Sequence, residues 1–241
     1  MNGLRTIFAR EFFGYFRTPV AYVFLVAFIL ASIGLPWFVG RFFEGNDASL
    51  NRFFTFLPWV FLFLIPAVGM RLWSEEKRSG TWELLLTLPI SLFDAVMGKF
   101  LAAWAFVALA LALTLPMPLT VMYLGDPDLG PMLSGYFGAL LMAGAYLGIC
   151  SLASALTENQ VIAFVVSVSV CLVLVLLGFG PFNDFLENLS LPVLLVDAIA
   201  RFSFVYNFEA MFKGLITVGN VTFFVSLAAF CLSLNLYVLK R

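Results

Sequence analysis

Six stretches of about twenty residues, near 19–40, 53–73, 100–124, 134–156, 161–180 and 218–239, run on with almost no charge. Arg71, at the end of the second, is the only Asp, Glu, Lys or Arg inside any of them. Twenty helical residues at ~1.5 Å each cover the ~30 Å hydrocarbon core of a bilayer. Lipid offers a buried backbone no water, so a spanning segment must satisfy its own N–H and C=O groups, as a helix or a closed barrel. A barrel would show segments of about ten residues with alternating polarity, whereas these runs are continuous. The expectation is an all-α membrane protein with six transmembrane helices and one domain over residues 1–241. Composition agrees: 63% of residues are hydrophobic and 11% charged, against about 25% charged in soluble domains.

Several function classes fall away. A net charge of −1 offers no basic surface to nucleic acid. There is no histidine, so histidine-ligated haem, histidine-based zinc and Ser-His or Cys-His nucleophile pairs are excluded. Cys150, Cys171 and Cys231 lie inside apolar runs and read as small buried hydrophobes. Ion-coupled carriers place Asp, Glu or His at membrane depth, and the third, fourth and fifth runs hold no charge at all. Enzymes acting on lipids need clustered Asp, His or Glu near the interface, and no such cluster is visible.

The polar segments set the topology. In residues 3–17, Leu4, Ile7, Phe8, Phe12, Tyr15 and Phe16 recur at helical spacing between Arg5, Arg10, Glu11 and Arg17. This pattern predicts an amphipathic helix in the headgroup plane rather than a cleavable signal, whose apolar core those charges would interrupt. Arg5, Arg10, Arg17, Arg71, Lys77, Arg78, Lys99, Lys240 and Arg241 then fall on one side, and Arg41, Arg52, Arg201 and Lys213 on the other. The richer side is expected to be cytoplasmic, with both termini inside. The stretch 181–217 is apolar but interrupted by Pro192 and Gly214. It reads as a re-entrant outer pair of short helices before the last span, with two i,i+4 ion pairs, Asp197 with Arg201 and Glu209 with Lys213. A seventh span there would put Lys240 and Arg241 outside and weaken the charge asymmetry.

The conspicuous polar segment follows the second run. Glu75, Glu76, Lys77 and Arg78 are consecutive charges, each costing ~2.5–3.5 kcal/mol at mid-bilayer, so they belong outside hydrocarbon. After Gly80, the run Thr81 to Leu88 reads as a short helix stopped by Pro89. It carries Trp82, Leu85 and Leu86 on one face and Glu83 in its first turn. Such a helix beside dense charge is suited to meeting another protein; the plainer alternative is a hairpin lying on headgroups. Ser91-Leu-Phe-Asp94 then has the form of a helix cap.

Met70-x-x-Trp73-Ser-Glu-Glu-Lys-Arg-Ser-Gly-Thr-x-Glu-Leu-Leu-Leu-Thr-Leu-Pro-Ile90 resembles the signature of permease subunits of type-two ABC exporters, E-x-x-x-G-T-x-E-x-L-L-x-x-P. The matching positions are Glu76, Gly80, Thr81, Glu83, Leu85, Leu86 and Pro89. The ending Tyr206-Asn-Phe208-Glu-x-x-x-Lys-Gly214-Leu-Ile216 is similar to that of the gliding-motility subgroup. The resemblance implies that the 74–89 loop couples to an ATPase present in two copies, which binds ATP and magnesium. It also implies a second copy of the permease or a paralogue, a bacterial inner-membrane location, and in that subgroup a partner with a large periplasmic domain. Export of a substrate is the implied function; a scaffold that drives the periplasmic partner and moves no cargo is the alternative. The chain itself offers no nucleotide site. A phosphate-binding loop requires Gly-x-x-x-x-Gly-Lys-Ser/Thr, but Gly98-Lys99 is followed by Phe100 and has Phe93 where the first glycine belongs.

The basic count predicts the accessibility of single cysteines introduced after the native three are replaced. Asp47→Cys and Asp128→Cys should react with a membrane-impermeant reagent from outside, and Arg78→Cys should not. Labelling of Arg78→Cys from outside would reverse the topology.

Overall fold

The computed structural model describes residues 2–40, 49–81, 91–125, 127–188 and 193–240, and among these there is no strand. Five stretches are long and apolar enough to cross a membrane: Pro19–Val39, Asn51–Ser79, Leu92–Leu124, Leu129–Ala155 and Val218–Leu239. The remaining predicted span is Gln160–Leu176, an apolar helix of 17 residues. At ~1.5 Å per residue it reaches ~25 Å, the short end of spanning lengths. The chain is an all-α membrane protein.

The helices are α1 (Asn2–Tyr15), α2 (Pro19–Gly34, continued by a π-helical turn Leu35–Val39), α3 (Asn51–Gly69), α4 (Arg71–Ser79), α5 (Leu92–Ala112), α6 (Pro116–Leu124), α7 (Leu129–Ala155), α8 (Gln160–Leu176), α9 (Gly180–Asn188), α10 (Val193–Ala200), α11 (Phe204–Phe212) and α12 (Val218–Leu239). Their starts follow local chemistry. Pro19 occupies the first turn of α2, where a missing N–H costs nothing. Ser91 Oγ accepts from Asp94 N at 3.0 Å, capping α5 as the sequence pattern predicts. Asp128 and Asn159 cap α7 and α8 in the same way, each through its side-chain oxygen.

α7 is the hub, packing against α3, α4, α5, α8, α11 and α12. Its sequence explains this position: small residues recur from Gly135 to Ala155 and let neighbouring backbones approach. At Gly148 an added Cβ would sit 3.1 Å from Ala228 Cα on α12. On α3, an added Cβ at Gly69 would collide with Cys150 Cβ on α7. Tyr146, fully buried on α7, donates to the Pro58 carbonyl of α3 at 3.0 Å and stacks on Phe204 of α11 at 4.4 Å.

Two segments differ from the sequence reading. The stretch before the last span holds three short helices among the described residues, α9, α10 and α11, where two are predicted, and none exceeds nine residues. Ser203 begins the third by accepting from Val205 N at 3.0 Å. α11 then buries Phe204, Phe208 and Met211 against α7 and α3, so it is a core element. The predicted loop after the second span is helical from Arg71 to Ser79. It leaves α3 by a break at Met70 and ends at Gly80, whose φ of 71° is left-handed, a conformation glycine adopts without strain. The charges at 75–78 belong to this helical extension, which needs no loop to carry them clear of hydrocarbon.

The close approach at Gly69 makes a pair of substitutions informative. Gly69→Ala should destabilise the protein by ~1–3 kcal/mol through overpacking. Gly34→Ala, with nothing within 4 Å of an added Cβ, should be neutral or stabilising. Thermal melting of the detergent-solubilised variants checks both.

Candidate functional site

The charged segment singled out by the sequence is anchored at one end of the bundle, where α1, α4, the start of α5 and the ends of α7 and α12 meet. Breaking the chain at Met70 creates a new helix N-terminus, whose first N–H groups lack intrahelical partners. Ser154 of α7 supplies them: its Oγ accepts from both Trp73 N and Ser74 N at 3.0 Å and donates to the Met70 carbonyl at 2.8 Å. One turn earlier, Ser151 Oγ accepts from the indole N–H of fully buried Trp73 at 3.2 Å and from Asn235 Nδ2 of α12 at 2.7 Å. Lys77 Nζ donates to the Ala155 carbonyl at the end of α7, where a cation also meets the negative end of the helix dipole.

A charge cluster closes the other side of α4. Lys99, on the first turns of α5, is 3% exposed. Its Nζ lies 2.9 Å from Glu76 Oε1 of α4 and 3.2 Å from Glu11 Oε1 of α1, and 5.3 Å from the Trp73 ring centre. Arg10 Nη2 is 2.8 Å from Glu11 Oε1 and 3.8 Å from Glu76 Oε1. Two cations and two carboxylates thus join three helices. Burial raises the Glu11 pKa, but Lys99 and Arg10 outweigh it and hold the carboxyl below its ordinary value. Glu76 Oε2 is buried without a hydrogen-bond partner, so the cluster is balanced in charge but one hydrogen bond short. Removing Lys99, the buried member, costs about 3–5 kcal/mol, because the carboxylates around it are left uncompensated. Apolar contacts continue the joint: an added Cβ at Gly98 would meet Ile7, and Tyr15 stacks on Phe106 at 4.8 Å. The apolar face of α1 therefore seats on α5, while Phe13 points outward.

The predicted site residues are distributed as follows. Glu75, Arg78, Gly80 and Thr81 are exposed, and Thr81 Oγ1 shares a hydrogen bond with Ser79 Oγ at 2.8 Å. Glu76 and Lys77 turn inward, to Lys99 and to the end of α7. Trp82, Glu83, Leu85, Leu86 and Pro89 lie outside the described residues. In the outer segment Glu209 and Lys213 pair at 2.6 Å on the surface. α10 ends at Ala200, before Arg201, and the Arg201 carbonyl accepts from Asn207 Nδ2 at 2.8 Å; the side chain of Asp197 is outside the described residues.

Sequence reasoning passed over Lys99, Arg10, Glu11, Trp73, Ser151, Ser154 and Asn235 as members of a site. One signal was available: Lys99 sits beyond the first turn of a helix that is apolar from there on, and an ionisable group in such a place needs a partner. A second was the Ser151/Ser154 pair, one helical turn apart in an apolar run.

No metal-ligand cluster is present among the described residues. Displacement of α4 must be transmitted to α1, α5 and α7 or break the bonds between them. A search of curated proteins finds no match to the chain. A scan of protein families matches residues 41–194 to the ABC-2 family transporter protein description. That match covers well over half of the sequence, including α3, α4 and the charged segment, and the chain belongs to the ABC-2 family of transporter proteins as a multi-pass transmembrane component.

Proposed function

We propose that the chain is the transmembrane subunit of a bacterial ABC transporter complex in the inner membrane, with both termini cytoplasmic. It couples ATP hydrolysis in a partner ATPase, present in two copies, to export of a substrate, and it works with a second copy of itself or a paralogue. ATP and magnesium belong to the partner, and this chain is a non-catalytic permease. The observation that supports the reading is the path leading from the charged segment into the bundle. Glu75 and Arg78 on the outer side of α4, and Gly80 and Thr81 just after it, face solvent, while the inner side of α4 is bonded to α1, α5 and α7. A partner that grips residues 75–89 then moves α4 as a lever. The near absence of charge from the spans suits an amphiphilic cargo, which needs no ionic route. The likeness of residues 206–216 to the gliding-motility subgroup adds a membrane partner with a large periplasmic domain to the proposed assembly.

Anchor residues at the centre of an interface cost ~2 kcal/mol or more when truncated. Trp82→Ala should therefore weaken co-purification of the ATPase by roughly thirtyfold, with the permease still inserted in the membrane. Arg78→Glu, at the rim, should weaken it far less. Normal ATPase binding and stimulation by both Trp82→Ala and Glu83→Ala variants would refute the docking assignment.

A further inference from the structure

Arg71 is the charge that the junction leaves unused. Its Nε is buried with no hydrogen-bond partner, and no ion pair reaches its guanidinium among the described residues. Glu75 stands at i+4 on the same helix, within reach. With the basic residue first, the order is the poorer one for a direct pair, and no pair forms. Both residues line a cleft of about 240 Å³ between α1 and α4, together with Glu11, Tyr15 and Thr18. The guanidinium lies close enough to Tyr15 to oppose the upward push that burial and Glu11 exert on its hydroxyl pKa.

The level of this cleft in the molecule is fixed by the spans. Thr18 immediately precedes Pro19, the first residue of α2, and Arg71 follows Gly69, the last residue of α3. The cleft therefore lies where hydrocarbon gives way to headgroups. Val20 and Tyr22, shortly after the lining residue Thr18, are exposed on the spanning helix α2 and offer acyl chains a surface. A guanidinium is suited to a phosphate, which it engages in a two-point fork. The Glu11 and Glu75 carboxylates on either side disfavour a purely anionic head and provide for a cation.

We propose that the α1–α4 cleft binds the head group of an amine-bearing zwitterionic phospholipid, its phosphate on Arg71 and its ammonium on Glu75. Bound there, the lipid ties α1 to α4 beside the Lys99 cluster, with which the cleft shares Glu11. The assignment does not depend on an ATPase partner, and its test is made on the permease alone.

The permease is reconstituted in nanodiscs of mixed phosphatidylethanolamine and phosphatidylglycerol, released into the gas phase, and its retained lipids are counted by native mass spectrometry. The wild type should retain phosphatidylethanolamine in preference to phosphatidylglycerol. Arg71→Gln should lower that retention about fivefold, the scale of one partly exposed charge contact. Glu75→Gln, an exposed substitution that leaves the fold intact, should abolish the preference between the two lipids while phosphate-dependent retention persists. Equal retention of both lipids by the wild type, or an unchanged preference in Glu75→Gln, overturns the proposal. Displacement of the retained lipid by millimolar free phosphoethanolamine would also contradict it, by assigning the cleft to a soluble ester.

Discussion

An ammonium ion placed among packed helices must be met by carboxylates or it is expelled, and Lys99 imposes this condition on the junction end of the bundle. Its Nζ is within 3.2 Å of oxygens from Glu11 and Glu76, which come from two different helices, α1 and α4. The desolvation of such a group costs several kcal/mol and is offset only if every partner is in place. α1, α4 and α5 are therefore held to one mutual arrangement by electrostatics, and the Trp73 ring under the ammonium fixes the depth at which α4 sits.

The hydroxyl groups of α7 depend on that arrangement. Ser154 can serve the first N–H groups of α4 only if the helix restarts at Met70, and Ser151 can join Trp73 to Asn235 only if the indole is turned inward. Each of these bonds links sequence-distant helices, and each lies in surroundings with little water to replace it. In the proposed function this is what makes α4 a stiff extension of the second span. The opposite end of the bundle is different in kind. α11 is held by stacked aromatic rings and small-residue packing against α7, and its exposed Glu209–Lys213 pair contributes little to stability.

Much of the fold was legible because it follows from short-range rules. Unbroken apolar runs placed five helices of spanning length, Pro19 placed the start of α2, and Ser91 and Asp94 placed the start of α5. The continuation of α3 into α4 was not legible, because consecutive charges at 75–78 resemble a loop until their partners on other helices are known. Lys99 counts in the sequence as one more basic residue on the Lys/Arg-rich side; its place in a largely apolar helix signals that it needs a partner but does not say which. Its role comes from Glu11 and Glu76, which only the packing of α1 and α4 brings within reach. The third outer helix escaped notice for a similar reason: Ser203 and Asn207 act as a cap and a clasp, functions that a reading based on hydrophobic runs does not see. The family was legible from the segment between Met70 and Ile90, whose outer half lies beyond the described residues.

The central claim is that α1 and α4 move as one body because Lys99 joins them. Spin labels placed at Phe13, exposed on α1, and at Ser79, exposed at the end of α4, report their separation directly by pulsed electron resonance. The account predicts a single narrow distance in the otherwise native protein. In Lys99→Met, which keeps the length and apolar bulk of the side chain but removes its charge, the distribution should become broad or displaced. An equally narrow and unshifted distribution in Lys99→Met would contradict the account, because the two helices would then be held together by something other than the buried charge.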